Sequence, residues 1–223
     1  MKGFLYITIL ILTTALVPIG SARAQLKTLV KFNPSTLPQE LDVYLSHELS
    51  EAVTVELGGG FIYTDYWDNI LNQIDFGQLK PNINEHQYLN AKGYAARLGL
   101  RFYIISPKEE RKAAGTYFEP MLLFKQIWYP KKEKTLDMED HVESGIKYLS
   151  GLQLLIGRQH KWHSFYLDKY IGLGIKAKTY RYDNFQKNER GNEVFNDWIH
   201  TTTWLPDIEL GIKIAFDFSK KQP

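Results

Sequence analysis

The sequence predicts an all-β chain, an eight-stranded antiparallel up-and-down transmembrane β-barrel, and three observations carry that expectation. Apolar and polar residues alternate with period two through segments long enough to cross a bilayer. The connections between those segments alternate between short and long. After the N-terminal segment no apolar stretch approaches the length of a spanning helix, so entry into a membrane requires a closed sheet whose backbone groups are all paired.

The chain of 223 residues suits one domain, with no Pro/Gly/Ser-rich linker dividing it. Its first residues read as a secretory signal. Lys2 precedes an apolar run from Phe4 to Ile19, and Gly20-Ser21-Ala22-Arg23-Ala24 offers an A-x-A cleavage site before Gln25. The expected division is a signal peptide over residues 1–24 and a barrel over residues 25–223. Loss of Lys2 and Arg23 with that segment leaves 25 of the 27 basic residues against 25 acidic ones. A formally neutral chain without a basic stripe does not suit nucleic acid as a partner. The absence of cysteine excludes disulfides, thiolate metal sites, a cysteine nucleophile and a lipidated cysteine.

Taken in order, the expected strands are Thr28–Asn33, Glu40–Glu48, Val53–Thr64, Ala96–Ile104, Tyr117–Tyr129, Ile146–Gln159, Tyr166–Tyr180 and a last one around Asp207–Phe218. The last is the clearest. Asp207, Glu209, Gly211, Lys213, Ala215 and Asp217 alternate with Ile208, Leu210, Ile212, Ile214, Phe216 and Phe218. In Tyr166–Tyr180, Asp168, Tyr170, Lys176 and Lys178 face one way and Leu167, Ile171, Leu173 and Ile175 the other. Several segments reach the roughly 9–11 residues that a tilted strand needs to span a bilayer, against about five or six in soluble sheets.

The connections Leu49–Ala52 and His160–Phe165 are short, whereas Asp65–Lys92, Pro130–Gly145 and Arg181–Thr201 are long. Short periplasmic turns and longer extracellular loops are the outer-membrane arrangement. Two connections depart from it: Pro34–Gln39 is short for its side, and Ser106–Gly115 is longer and highly charged.

Alternation does not by itself say which face is inside, because a soluble lipocalin-like barrel has the same period with its apolar face inward. The polar face carries acids at Asp42, Glu48, Glu56, Glu119, Asp168, Asp207, Glu209 and Asp217. Its bases are Lys31, Arg97, Arg101, Lys125, Lys147, Lys176, Lys178 and Lys213. Such a balance suits a narrow lumen in which unpaired charges are costly. Aromatic residues near strand ends, Tyr63, Tyr66, Trp67, Trp128, Tyr129, Trp162 and Trp204, suit interfacial girdles. Polar exceptions on the apolar face, His47, Arg158, Lys169 and Gln126, fall near rims where they can snorkel; Ser150 does not, and Pro120 suggests a bulge. Gly172, Gly174 and Gly211 are expected to make room for long lysines and arginines in an interior that side chains fill.

Few residues offer chemistry. His86 lies among Asn84, Glu85 and Gln87, His141 beside Glu139, Asp140 and Glu143, and His200 near Asp197 and Thr201. Ser144 is the one serine placed at a rim, and Ser150 faces outward, so a Ser-His-carboxylate set is not assembled by the sequence. No phosphate loop, Cys-x-x-Cys, His-Glu-x-x-His or nucleophile elbow is present. The reading therefore assigns no catalytic, cofactor-binding or metal residues and no cofactor. Contact patches are expected on the long loops, at Tyr63-Thr64-Asp65-Tyr66-Trp67 and within Tyr180–Trp198.

Lys31-Phe32-Asn33-Pro34, Leu45-Ser46-His47-Glu48-Leu49-Ser50 and Val55-Glu56-Leu57-Gly58-Gly59-Gly60-Phe61, followed by Gly99-Leu100-Arg101-Phe102-Tyr103 and Tyr170-Ile171-Gly172-Leu173-Gly174, form a loose series of strand patterns. In these the chain resembles the small outer-membrane β-barrel proteins of Bacteroidetes, the DUF3575-like group. The resemblance implies an eight-stranded barrel in the OmpA/OmpX size class, inserted by the barrel-assembly machinery. The chain departs from that pattern at its end, where Phe218 is followed by Ser219-Lys220-Lys221-Gln222-Pro223 rather than closing on an aromatic residue. The expected function is a structural, adhesive or partner-docking role at the cell outer membrane. Its expected partners are outer-membrane lipids, lipopolysaccharide and an envelope or extracellular protein met through the loops. The alternatives are a lipid A-modifying enzyme and a soluble periplasmic ligand-binding barrel.

Overall fold

Each strand pairs antiparallel with the next in sequence, and the last pairs back onto the first, so that one up-and-down sheet closes into a barrel. The strands of this computed structural model are β1 (Thr28–Asn33), β2 (Glu40–Glu48), β3 (Val53–Ile62), β4 (Lys92–Ile105), β5 (Gly115–Tyr129), β6 (Gly145–Trp162), β7 (Phe165–Lys187) and β8 (Glu193–Asp217). A 3-10 turn, Pro34–Thr36, joins β1 to β2, and a short helix, α1 (Glu85–Leu89), precedes β4. The structure describes residues 28–50, 52–67, 83–105, 114–131, 144–163, 165–187 and 193–217, and within these not the side chains of 105 and 184–198. The expected signal segment, the terminal Phe218, the charged 106–113 turn and the acidic loop around His141 lie outside the described residues.

The closed sheet turns the charged face of the alternating strands inward. In β2, Glu40, Asp42, Tyr44, Ser46 and Glu48 are buried while Leu41, Val43 and Leu45 are exposed. In β6, Gln153, Leu155 and Gln159 are buried and Leu152, Leu154 and Ile156 exposed. Because the side-chain period is two, a one-residue slip of β7 against β6 would carry Asp168 and Lys178 outward and Ile171, Leu173 and Ile175 in. The pairing of Asp168 with Gln159 and of Lys178 with Leu149 is therefore fixed by the sequence pattern.

Several boundaries differ from the expected ones. β3 stops at Ile62, and β4 begins four residues before Ala96, at Lys92. The largest difference is at β7 and β8, where the Arg181–Thr201 stretch continues the ladder as a hairpin, Arg181 opposite His200 and Lys187 opposite Glu193, with a register shift at Asn184/Phe185. That stretch mixes Tyr, Asp, Asn and Gln, so it carries no period-two apolar signal for the ladder that its backbone makes. Pro120 does not mark a bulge. The β4–β5 register is the same on either side of it, and the shift falls nearby at Tyr103/Ile105.

The inward glycines make room for rings more than for lysines. A Cβ at Gly58 would come within 2.6 Å of the Tyr44 ring, and at Gly157 and Gly211 it would overlap Tyr117 and Tyr170. At Gly172 it would meet Leu155, and at Gly174 the backbone of β6. Tyrosines lying flat across neighbouring glycines thus fill a lumen too narrow for large side chains from every strand.

Candidate functional site

The lumen is occupied at mid-height by one polar cluster to which all the strands but β2 contribute a hydrogen-bonding or charged group. Lys31 of β1, Glu56 of β3, Arg101 of β4, Glu119 of β5, Asp168 of β7 and Lys213 of β8 converge there, each at most 1 % exposed. Arg101 is the hub. Its Nε donates to Glu119 Oε2 at 2.9 Å, Nη2 to Glu56 Oε2 at 3.1 Å, and Nη1 to Gln159 Oε1 at 2.8 Å, with Asp168 Oδ2 2.9 Å from the same nitrogen. Lys31 Nζ sits 2.6 Å from Glu56 Oε2 and donates to Gln159 Oε1 at 3.1 Å. Lys213 donates to Glu56 Oε1, and Tyr117 OH donates to Asp168 Oδ1 at 2.7 Å. The Arg101 guanidinium also lies 3.7 Å over the Tyr117 ring, and Lys213 lies 4.0 Å over that of Tyr44, the contribution of β2.

Three cations face three carboxylates, so the cluster is neutral as a unit. That matters because charges in a low-dielectric interior are tolerated only when paired and hydrogen-bonded. Arranged this way the cluster fills the lumen at this level, and Glu119 Oε1 is its one carboxylate oxygen without a hydrogen-bond partner.

Toward the long-loop end a second layer is more open. Arg97 Nη1 donates to Asp42 at 2.7 Å and Nη2 bonds Glu40, which also receives Lys125 at 2.8 Å. Across the lumen Lys176 donates to Asp207 at 2.7 Å, Gln153 Nε2 to Asp207 at 2.6 Å and to Glu209 at 3.0 Å, and Tyr170 OH to Glu209 at 2.7 Å. Above this layer the two described ends of the connection after β3, residues 63–67 and 83–91, meet and cover the inward face, with the Asp65 N–H donating to Tyr88 O at 2.9 Å. Asn84 and Gln87 form a capping box that starts α1, and Gln87 Nε2 reaches Pro130 O at 2.9 Å. Tyr88 packs edge-on against Tyr129 in a cluster with Ile62, Ala91, Ala95, Ile127 and Tyr180. Asp65, buried under this cover, accepts from Tyr129 and Lys147 and from Gln39 at 3.1 Å.

Of the sixteen charged residues assigned to the lumen, fifteen point inward; Asp217, at the end of β8, is exposed. Glu40 and Asp65 are buried there too, outside the expected set. Glu40 shares the parity of Asp42 and Glu48, so the alternation could have found it; Asp65 lies beyond the end of β3, where no pattern applies. Asp65 is therefore a structural residue inside an expected contact patch, of which Tyr63 and Trp67 are exposed. Tyr129 is also inside, so it leaves the girdle, while Trp128, Trp162 and Trp204 are outward and exposed. His47 bonds Thr28 Oγ1 at 2.9 Å, and Gln126 accepts from Tyr94 OH at 2.7 Å, which satisfies two of the polar exceptions on the outer face.

The candidate chemical residues are not brought together. His86 is exposed on α1 and His200 on the β8 extension. Ser144 donates to Asp183 Oδ2 at 2.7 Å, and no histidine bonds it among the described residues. Among the described residues no group of three His, Cys, Asp or Glu side chains is arranged to hold a metal ion. No protein-family model, curated protein or solved structure matches the chain.

Proposed function

We propose that the chain is an integral outer-membrane β-barrel, exported by its N-terminal segment, with a structural, adhesive or partner-docking role and no catalytic one. The observation that carries this reading is the inversion of the usual arrangement. Charged side chains fill the inside of the closed sheet, and the outside is a continuous apolar surface running through Leu45, Leu57, Leu98, Leu122, Leu154, Leu173 and Leu210. A sheet of this kind exposed to water would leave far more contiguous apolar area than a soluble monomer shows.

The dimensions agree. From Trp204 to Phe216 the outward positions of β8 are all apolar, and at about 3.3 Å per residue and a tilt of ~40° that length spans ~30 Å along the barrel axis, close to the apolar band of such barrels. Outward aromatic residues flank the aliphatic middle: Phe61, Tyr94, Trp128 and Trp204 toward the long-loop end, and Phe118, Trp162 and Phe216 toward the other. The same reading takes up the resemblance to the DUF3575-like barrels, and with it lipids, lipopolysaccharide and the assembly machinery as partners.

Cell fractionation tests it. The protein is expected in the outer-membrane fraction and, extracted in mild detergent, to migrate on a gel at one position unheated and at another after boiling. Recovery as a detergent-free monomer from the periplasm would overturn it.

A further inference from the structure

We infer that Arg158 and Lys169, side by side on the outer wall, bind the phosphate of a net-anionic phospholipid, one whose head carries no ammonium group. The inference rests on the outward face meeting lipid and assigns one lipid contact of that face.

Arg158 and Lys169 are the two charged side chains among the polar exceptions on the apolar face that no protein group answers. They stand directly opposite each other on β6 and β7, and Thr116 of β5 stands opposite Arg158 on its other side. Residues placed in this way have Cβ atoms about 4.5–5.5 Å apart, and like charges there repel. Both side chains are exposed, and neither has an ion-pair or hydrogen-bond partner among the described residues. No carboxylate is at hand on this part of the wall. Through β5, β6 and β7 as far as Tyr180 the acids are Glu119 and Asp168, both 0 % exposed inside the lumen. Asp217, exposed at the end of β8, stands opposite Leu29 of β1. The connection that precedes β5 carries Lys108, Arg111 and Lys112 against Glu109 and Glu110, so it brings no net negative charge.

The pair is set into the apolar face, with apolar residues both above and below it. Ile156 and Ile171 stand opposite each other on the mid-wall side, then Leu154 and Leu173. On the turn side are Leu167 and the opposed Trp162 and Phe165, whose rings stack at 5.9 Å. At about 3.3 Å per residue and a tilt of ~40°, the step from Arg158 to Trp162 is ~10 Å of barrel height. Tryptophan marks the headgroup level, so the two cations lie below it, where an unanswered charge is costly. Their long side chains reach back toward the rim, and the anion found there is phospholipid phosphate.

The surroundings select the head. The arginine fork, the ammonium group and the Thr116 hydroxyl all donate to phosphate oxygens. Between the pair and the turn stand His160 and Lys161, both exposed. A choline or ethanolamine head would place its own cation among these groups with no acid to receive it, whereas a glycerol head presents hydroxyls that accept from them. The acyl chains then lie over Ile156, Ile171, Leu154 and Leu173.

The test is native mass spectrometry of the detergent-solubilised protein offered equal amounts of palmitoyl-oleoyl phosphatidylglycerol and phosphatidylcholine. One phosphatidylglycerol per chain is expected, retained about tenfold or more over phosphatidylcholine, the preference that two cations give. In Arg158→Gln/Lys169→Gln, which alters nothing in the lumen and whose fold is checked by the shift on boiling, the preference is expected to disappear. In Lys92→Gln/Lys131→Gln, which removes the same charge from exposed positions at the long-loop end, it is expected to remain. Urea unfolding in vesicles gives a second reading: phosphatidylglycerol added to phosphatidylcholine is expected to raise the midpoint of the unaltered chain and not that of Arg158→Gln/Lys169→Gln. Equal retention of the two lipids, or an equal loss of preference in both double variants, would overturn the site. Inorganic phosphate raising the midpoint as much as the lipid does would overturn the lipid as its source. A protein that enters vesicles and binds both heads equally loses the site alone, whereas one that does not enter them loses the membrane reading and the site with it.

Discussion

Replacement of Arg101 by methionine removes the hub of the central cluster with little loss of volume. Arg101 is the one ion-pair partner of Glu119 among the described residues, and it also contacts Glu56 and Asp168. Without it three carboxylates share Lys31 and Lys213, and Glu119, 0 % exposed, is left with a buried charge that nothing answers. Removing one member of a buried ion pair costs about 3–5 kcal/mol, most of it the unpaired charge that remains. If that is the origin of the cost, Glu119→Gln in the same chain should remove much of it, because the cluster becomes neutral again with two cations against two carboxylates. The expected result is a loss of about 3–5 kcal/mol in Arg101→Met and recovery of at least half of it in Arg101→Met/Glu119→Gln. Urea unfolding of the protein folded into lipid vesicles, followed by tryptophan fluorescence, measures both. A single-variant loss below about 1 kcal/mol, or a double variant as unstable as the two single losses added, would refute the argument that charge balance holds the lumen.

The outward face gives a depth-dependent prediction: Leu154→Arg, at mid-wall, should cost about 2–4 kcal/mol and Trp162→Arg, at the short-turn rim, about 0–1, and equal small costs would count against lipid contact. Packing of the lumen gives another. Gly211→Val drives a side chain into the Tyr170 ring and should cost about 1–3 kcal/mol, while Gly59→Val, with nothing within 4 Å of its Cβ, should change stability by less than about 0.5. Equal effects at the two glycines would remove the ring-over-glycine account.

Much of the fold is legible because one rule, alternation, both marks the strands and sorts their residues onto two faces. β1 and β2 run from Thr28 to Asn33 and from Glu40 to Glu48 as their sequence patterns end. Alternation also places Lys31, Glu56, Arg101, Glu119, Asp168 and Lys213 on one face, which the closed sheet turns inward. What it does not carry is height along the axis. That these six meet at one level depends on the stagger of neighbouring strands, such as Arg101 opposite Thr54 rather than Glu56. The hairpin extension of β7 and β8 is hidden for a different reason: its residues mix Tyr, Asp, Asn and Gln and carry no apolar period. Asp65 and the stretch of β8 beyond Ile214, which β1 does not reach, both depend on where a strand stops. A short β1 is visible in the sequence, but the unpaired stretch of β8 appears only when the closing register is known.

The claim on which the rest depends is that the outer surface meets lipid. The chain has no cysteine, so single cysteines at Leu154, Ile171 and Leu210 can each carry a nitroxide without background labelling. In liposomes, collision with oxygen is expected to be high and collision with a water-soluble nickel chelate low at all three, with the reverse at an exposed loop position such as His86. Nickel accessibility at Leu154, Ile171 and Leu210 equal to that at His86 would place the apolar face in water and contradict the account.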